Sequence, residues 1–305
     1  MKLSVYFGDG VTVGPRLSAD ILMERFADHG VTAALLHGSE GYGAHRLLHA
    51  ERLPDVSTDL PLLALAVDDD EERIRAALDD VHAAVPKGLV TLEPFGAGDG
   101  AAELTVFCDR GHREVVDQMR RAGATGATVL AGVDGVLGRR RRERLFRNGG
   151  APMVVVSVGP AEVLEPLRAS LPHAWLQPVA LLKHAGEQLA PLPSADGWQA
   201  IRVYSRRTHP AGGGALTRRL RQVDAAGATT LLGEWGFTGG ERPFGDRLGR
   251  IASHRPTCTV YIDRAENVAE HWPIIDELTA EHGTVTAVPV PVYRSAPGSA
   301  PARRG

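Results

Sequence analysis

The 305-residue sequence predicts an α+β fold made of three tandem β-α-β-β-α-β units, and two observations predict it. The first is an internal repeat with the pattern small, Ala, small, apolar, Leu, any, Gly, any, any, Gly, apolar, which starts at Thr32, Gly126 and Gly227. The second is that each copy has the same flanks: a strand and an amphipathic helix before it, and a Pro-led strand, a second helix and a last strand after it. This order is the ferredoxin-like split βαβ arrangement, an antiparallel sheet with both helices on one face and the other face needing a partner.

The elements are predicted at corresponding places in the three copies. The first strands cover residues 3–7, 104–107 and 201–204. The Pro-led strands begin at Pro61, Pro152 and Pro256. The last strands cover residues 89–93, 178–182 and 285–290. The units therefore span residues 1–95, 103–183 and 198–294, with linkers rich in Gly, Pro and Ala between them and a disordered tail over residues 295–305.

Composition and charge argue against several classes of protein. No apolar run approaches the ~18 residues of a membrane helix, and the N-terminal residues alternate like a strand, so we expect a cytoplasmic protein without direct membrane insertion. Two cysteines, Cys108 and Cys258, are too few for a disulfide framework or a Cys-based zinc site. The net charge of −3 hides an acidic first third, since residues 1–100 carry 8 Lys+Arg against 17 Asp+Glu. That distribution argues against a nucleic-acid binder.

The first unit carries the most specific motifs. They are Leu-His-Gly-Ser-Glu-Gly-Tyr-Gly-Ala at residues 36–44, His49, Arg52, Ser57, Asp-Leu-Pro at residues 59–61, and Lys-Gly-Leu-Val-Thr-Leu-Glu at residues 87–93. On these residues the chain resembles the DUF190 (UPF0166) family, which is similar to the PII-like signalling proteins, ordinarily trimers of one unit. With three units in one chain, the resemblance implies a monomer that acts as an intramolecular pseudo-trimer, with the open sheet faces meeting at the centre.

The resemblance also implies a site and a function. PII-like proteins bind a small anionic ligand, usually an adenine nucleotide, in the clefts between units, and they signal through the loop between the second and third strands. The ligand-binding residues implied here are Gly38, Glu40, Gly41, Gly43, Arg52, Lys87 and Gly88. Glycine N–H groups can hold a phosphate and Lys87 can supply a charge. The alternatives are a tight turn that needs glycine for its geometry and an exposed lysine before a strand.

A basic run marks the corresponding loop of the second unit. Its arginines are Arg139, Arg140, Arg141, Arg142, Arg144 and Arg147. Such a run can grip phosphates or an acidic partner, including the acidic first unit, or it can be a solvated loop. Because Phe146 is the one aromatic residue in it, a stacking platform for nucleic acid is not indicated.

Metal binding and catalysis have weaker signals. His45 and His49 stand four residues apart, but no third ligand follows at a definite spacing, so they are weak candidates for a divalent metal. No nucleophile elbow, metalloprotease motif or activated cysteine is present, so we expect no enzyme and no cofactor beyond an adenine nucleotide effector. The sequence thus predicts a PII-like sensor with a partner that the resemblance suggests is a membrane transport protein. The alternatives are a ligand-free interaction scaffold with a basic docking loop and a divalent-metal-binding protein.

Overall fold

The computed structural model describes residues 1–43, 60–96, 98–141, 150–194, 196–206, 215–239, 242–245 and 255–294, with the backbone alone at residues 49–50 and 294. Within these residues the fold is mixed α and β, with one large antiparallel sheet system of 18 strands, a separate two-stranded hairpin and six helices. The predicted mixture of helices and antiparallel strands is confirmed. The predicted tail at residues 295–305 lies outside the described residues.

Helices and strands occur in the same order in each third of the chain. Unit 1 contains β1 (Lys2–Gly8), β2 (Thr12–Val13), β3 (Arg16–Leu17), α1 (Ser18–His29), β4 (Thr32–Tyr42), β5 (His49–Ala50), β6 (Pro61–Val67), α2 (Glu71–Ala84) and β7 (Leu89–Glu93). Unit 2 contains β8 (Ala101–Cys108), α3 (His112–Ala122), β9 (Gly126–Leu137), β10 (Arg140–Arg141), β11 (Met153–Pro160), α4 (Ala161–Ser170) and β12 (Ala174–Pro178), and is followed by β13 (Ala180–His184) and β14 (Glu187–Gln188). Unit 3 contains β15 (Trp198–Arg206), α5 (Ala215–Gln222), β16 (Ala228–Thr238), β17 (Phe244–Gly245), β18 (Pro256–Arg264), α6 (Ala265–Leu278) and β19 (Thr284–Pro289), and is followed by β20 (Val292–Arg294).

Local sequence signals set the helix ends. The Asp70 side chain accepts the N–H of Glu72 at 3.0 Å and so caps the start of α2. Gly30 and Gly123 end α1 and α3 with φ of 69° and 90°, a left-handed conformation that glycine adopts without steric cost. These residues fix where α2 begins and where α1 and α3 end.

Strand pairing follows one pattern in the three units. The last strand pairs with the first, the first with the third, and the third with the second, always antiparallel. In unit 1 the order is β7-β1-β6-β4. Unit 2 has β12-β8-β11-β9 and unit 3 has β19-β15-β18-β16. The second strand is therefore an edge of its own unit, and its free side is open to another unit.

The three second strands use that free side to join the units in a ring. Residues 33–36 of β4 pair with residues 132–136 of β9, and residues 126–130 of β9 pair with residues 233–238 of β16. Residues 228–231 of β16 pair with residues 38–42 of β4 and close the ring. Each second strand thus pairs with one neighbouring unit along one half of its length and with the other unit along the other half.

Burial divides the interior into four cores. Three of them lie between the helices and the sheet of one unit, and the fourth is central. The central core combines residues of all three units, among them Leu65, Val156 and Val260. The sheet faces opposite the helices therefore meet at the centre of the molecule, where their apolar area is removed from water.

Candidate functional site

The repeated glycines lie inside the second strands. Gly38 and Gly41 belong to β4 and have no positive φ, so the alternative interpretation of these glycines as a tight turn is wrong. A Cβ on Gly38 would lie 2.7 Å from Cγ of Pro61, and a Cβ on Gly41 would lie 2.9 Å from Cβ of the same proline. The glycines are needed because the Pro-led strand and the neighbouring unit approach the backbone closely.

The other two copies use the motif in the same way. Side chains added at Gly132 and Gly135 would meet Pro152, and one added at Gly233 would meet Pro256 at 2.7 Å. A Cβ on Gly236 would collide with the carbonyl oxygen of Ala127 in unit 2. In each copy, the first motif glycine contacts the proline that begins the third strand. This contact explains why the glycine and the proline are separated by a similar number of residues in the three copies.

The residue directly before the second motif glycine reaches across each junction. In unit 1 this residue is Glu40. Its carboxylate accepts a hydrogen bond from Nε of Arg218 in α5 of unit 3 at 2.5 Å. Glu40 is 4% exposed, whereas the Arg218 side chain is 48% exposed. Beside it, Ser39 Oγ donates to the carbonyl oxygen of Thr230 at 3.2 Å. The unit 1–unit 3 junction therefore pairs a buried carboxylate with a cation that solvent can reach.

The corresponding residue of unit 2, Asp134, faces helix α1 of unit 1. Arg141 lies between them, 2.6 Å from Asp134 and 3.0 Å from Asp20, with Glu24 at 3.7 Å. Arg139 reaches the same helix, since a Cβ on Gly30 would lie 2.9 Å from its Nε. Two arginines predicted to bind a partner thus contact unit 1 of their own chain.

The remaining junction has no carboxylate in the motif. Trp235 occupies the position, and the guanidinium of Arg113 in α3 of unit 2 lies 4.8 Å from its ring centroid, a cation–π contact. The three junctions therefore share a backbone arrangement but differ in the charges that face each other.

Lys87 and Gly88 lie at the same end of unit 1 as the motif glycines. Across the sheet, Leu89 of β7 pairs with Tyr6 of β1. The next residue of β1, Phe7, pairs with Leu62 of β6, and Leu62 pairs with His37 of β4. A Cβ on Gly88 would lie 2.8 Å from the carbonyl oxygen of Tyr6, so glycine is needed there for space. Strand β20 of unit 3 pairs with Leu89–Thr91, which brings unit 3 next to this end as well.

Lys87 differs from the two other lysines of the sequence. Lys2 and Lys183 are each 2% exposed, while Lys87 is exposed. An ammonium group in solvent beside a sheet end and a neighbouring unit is placed to act as a point charge on an anion.

Other predicted site residues are not brought into this picture. Arg52, His45, Arg142, Arg144 and Arg147 lie outside the described residues, and for His49 the backbone alone is described, paired with Gly41. Gly43 is exposed with open space around it, and Arg140 is exposed. Within the described ranges no group of three or more His, Cys, Asp or Glu side chains suits a metal ion.

The sequence analysis missed a buried group of charges at the centre. Lys2 lies 3.2 Å from Glu93 and 2.8 Å from Glu103, while Arg202 contacts both oxygens of Glu93 at 2.5 Å. Tyr204 donates to Glu103 at 2.7 Å. These residues come from all three units, and each charged side chain is 6% exposed or less. We name Lys2, Glu93, Glu103 and Arg202 the central charge cluster.

The electrostatics of the central charge cluster are balanced. Burial works to raise the pKa of Glu103, but the positive charges of Arg202 and Lys2 outweigh it and lower that pKa to about 2. The pKa of Glu93 is lowered for the same reasons, against the same effect of burial. Both carboxylates are therefore ionised, and two cations neutralise two anions. The available signal was charged residues inside otherwise apolar strands: Lys2, Glu103 and Arg202 in the first strands and Glu93 at the end of β7.

The fold and the junctions define a class of protein: one chain of three repeats joined in a ring through their second strands. A model of the family DUF190, described as "Uncharacterized ACR, COG1993", matches residues 1–96, 109–182 and 198–292, so the chain belongs to the DUF190 family as a tandem-repeat member. No curated protein matches it. Among solved structures, the chain is similar to an aspartate kinase from Synechocystis at 11% identity and a TM-score of 0.25. That match covers 94% of this chain but 43% of the kinase chain, and so low a score supports no inference.

The structure also bears on membrane insertion. In the part of the chain that the structure describes, no helix has the length and apolar character needed to cross a bilayer.

Proposed function

We propose that this protein is a non-enzymatic, PII-like sensor whose three ferredoxin-like units form an intramolecular pseudo-trimer. The strand order that the units share and the ring closed by β4, β9 and β16 support this arrangement. The ligand is a small anion, an adenine nucleotide by the family resemblance, and it binds at the unit 1–unit 3 junction. The site consists of Lys87 and Gly88, the Glu40 region of β4, and Arg218 from the neighbouring unit.

The ion pair between Glu40 and Arg218 carries the proposal. Arg218 is half exposed, so an anion can reach it, and an anion bound there competes with Glu40 for its charge. Glu40 is buried and loses stabilisation when its counter-charge is shared. Because Glu40 is near the end of β4, the loss of stabilisation affects the last residues of this strand, which precede residues 44–59 in the chain. Ligand binding thereby changes the start of the segment that PII-like proteins use for signalling.

The charges of the other junctions favour a single site. At the unit 2–unit 1 junction Arg141 is held by Asp134 at 2.6 Å and Asp20 at 3.0 Å, and Glu24 is paired with Arg16 at 2.6 Å, so the charges there already neutralise one another within the chain. At the unit 3–unit 2 junction Trp235 covers Arg113. A tandem chain, unlike a homotrimer, can keep one site and let the other two diverge.

The partner side of the proposal rests on the resemblance. We place the sensor in the cytoplasm, with a membrane transport protein as the partner of the segment that follows β4. The alternative of a ligand-free scaffold with a basic docking loop receives less support, because Arg139 and Arg141 contact unit 1 instead of projecting toward a partner.

A thermal-shift panel tests the proposal, with ATP, ADP, AMP, cyclic AMP and cyclic di-AMP each added at about millimolar concentration. A ligand that binds the folded chain stabilises it by about 2.7 kcal/mol at 100 times its Kd, which is a shift of several degrees. We expect Lys87→Ala and Arg218→Gln to abolish the shift. Arg75→Ala is the matched control, since it removes an exposed cation of the same unit whose partner is Glu71 in its own helix. A flat panel, or a full shift in Lys87→Ala, would contradict the site.

A further inference from the structure

The outer edges of the three last strands are covered differently. Strand β13 pairs along β19 in unit 3, and β20 pairs along β7 in unit 1. In unit 2, β12 pairs with β8 on one side, and among the described residues no strand lies on its other side. The linker before β8 contacts this side: the N–H of Gly96 donates to the carbonyl oxygen of Leu176 at 3.2 Å, and the ring of Phe95 stacks on that of Trp175 with centroids 6.3 Å apart.

The length of the linkers explains this difference. Seven residues, 94–100, connect β7 to β8, whereas nineteen residues, 179–197, connect β12 to β15 and include β13. At roughly 3.3 Å per residue, the short linker cannot run along β12 and then return to start β8. The chain therefore leaves β12 without the strand that the two corresponding edges carry.

The uncovered part of β12 corresponds to the part of β7 that β20 covers in unit 1. Leu92 pairs with Leu3 and Leu176 pairs with Leu104, so residues 173–175 correspond to residues 89–91, which β20 covers. A cleft of about 400 Å³ opens at this place, and its lining includes Ala174, Trp175, Leu176 and Phe95. The cleft thus occupies the position of a missing strand.

The backbone of β12 offers hydrogen bonds to this cleft. His173 directs its carbonyl oxygen to the N–H of Phe107 in β8, and Leu176 directs its own to Gly96 on the opposite side. Peptide groups alternate sides along a strand, so the N–H and C=O of Ala174 point to the same side as those of Leu176. An edge with such groups is a template for another extended segment.

Charges around the cleft indicate what that segment carries. Asp69 and Glu71 of unit 1 and Glu165 of unit 2 line it together with two cations, the amino group of Met1 and Arg168, which is paired with Glu165 at 2.6 Å. Glu71 is also paired with Arg75 of its own helix, and the lining itself holds three carboxylates against two cations. Both strands that cover the corresponding edges combine apolar residues with a following cation. They read Val292-Tyr293-Arg294 in β20 and Leu181-Leu182-Lys183 in β13.

We propose that the outer edge of β12 binds an extended segment of a partner protein, antiparallel to β12, in which two apolar residues precede a lysine or arginine. Its main chain pairs with Ala174 and Leu176, its apolar side chains pack beside Phe95 and Trp175, and its cation meets the carboxylates of the cleft. This surface is separate from the ligand site at the unit 1–unit 3 junction and does not depend on it.

A peptide that copies residues 179–184, Val-Ala-Leu-Leu-Lys-His, acetylated and amidated, serves as the probe on the full chain. Titration calorimetry is expected to give saturable 1:1 binding, and hydrogen exchange is expected to show protection of the amides at residues 174–176 and not at residues 284–287. N-methylation of the two leucines of the peptide, or Lys→Glu in it, should weaken binding at least tenfold. In the protein, Glu165→Gln should weaken it several-fold, while Glu162→Gln, an exposed residue of the same helix outside the cleft, should not.

Three results would overturn the proposal. One is absence of saturable binding up to millimolar peptide, or equal binding by the N-methylated peptide. Another is a gain of at least tenfold in peptide affinity when residues 295–305 are deleted, which would make the chain's own tail the occupant. The third is light scattering that shows dimers and loss of the dimers in the presence of peptide, which would make a second copy the occupant. A failed nucleotide panel would leave all of these readouts unchanged.

Discussion

The unit 1–unit 3 junction and the unit 2–unit 1 junction have the same backbone pairing but opposite arrangements of charge. In the first, a carboxylate of the motif, Glu40, meets an arginine of the facing helix, Arg218. In the second, the carboxylate Asp134 faces a helix that carries Asp20 and Glu24, and Arg141 from its own unit lies between them.

The difference follows from the first helices. When the buried residues Phe26, Met119 and Leu220 are placed at corresponding positions, Asp20 corresponds to Arg113 of α3 and Glu24 corresponds to Arg218 of α5. Helix α1 therefore has an acid at both positions, whereas α3 has Arg113 at the first and α5 has Arg218 at the second. Three units of one chain thus share a backbone ring, while each junction has its own electrostatics.

The largest effect is expected from the central charge cluster, because the units that form both junctions share it. Glu103→Gln removes one anion and leaves Lys2 and Arg202 with a single buried carboxylate, so the free energy of unfolding should fall by about 3–5 kcal/mol. Denaturant unfolding measures it. Glu114→Gln, exposed in α3, is the control and should change stability by less than about 0.5 kcal/mol.

The same variant has a signature in its pH dependence. Arg202 and Lys2 hold the pKa of Glu103 at about 2, below its ordinary 4.5. A depressed carboxyl pKa contributes stability that is present above pH 4.5 and is lost as the pH falls toward 2. The native chain should therefore lose more stability than Glu103→Gln over that range. Equal pH profiles would contradict the role given to the cluster.

A smaller effect is expected from the backbone ring itself. Gly236→Ala places a Cβ against the carbonyl oxygen of Ala127, and overpacking of this kind costs about 1–3 kcal/mol. Thermal unfolding of the variant measures it. Gly43→Ala, where nothing lies within 4 Å of the added atom, should leave stability nearly unchanged. If both substitutions were equally mild, close packing would not be the reason for the repeated glycines.

The smallest effect on stability is expected from substitutions that distinguish the charges of the two junctions. Arg141→Ala leaves Asp134 and Asp20 without the cation between them, while Glu24 keeps Arg16 at 2.6 Å, and the loss should cost about 1–2 kcal/mol at low salt. Asp20→Asn should recover part of that loss, because it removes one of the repelling charges. Arg218→Ala should show no such recovery with Asp20→Asn. Identical behaviour of the two variants in a double-mutant cycle would remove the distinction between the junctions.

Much of the fold could be predicted from the sequence because its signals are local. Apolar spacing and the Pro-led strands predicted the helices and most strands, and the repeated motif located the second strand of each unit. The predicted last strand of unit 2 at residues 178–182 was wrong: that strand is Ala174–Pro178, and Ala180–His184 pairs with β19 of unit 3 because its apolar residues cover an edge of the neighbouring unit. The sequence nonetheless allowed two interpretations of the motif glycines, a phosphate-binding segment or a tight turn, and did not indicate their packing role. These glycines serve contacts with a proline about 20 residues later in the chain and with a neighbouring unit, and a single-sequence pattern does not contain such contacts.

The chemistry of the site was harder to predict for the same reason. Glu40 and Arg218 are 178 residues apart, and the pairing of β4 with β16 brings them together. The central charge cluster likewise needs the three sheet faces to meet before its charges can be paired. The position of Lys87 before the last strand could be predicted because it depends on local sequence, and its role in ligand binding stays a prediction.

Protection of Lys87 from acylation tests the central claim most directly, since Lys87 is the exposed lysine of the sequence while Lys2 and Lys183 are buried internal references. The intact chain is treated with acetic anhydride in the presence and absence of the nucleotide that gives the largest thermal shift, and modification at each lysine is quantified by mass spectrometry. We expect the nucleotide to slow acetylation of Lys87 severalfold in the native chain and not in Arg218→Gln. Unchanged acetylation of Lys87 at saturating nucleotide would contradict a ligand site at the unit 1–unit 3 junction.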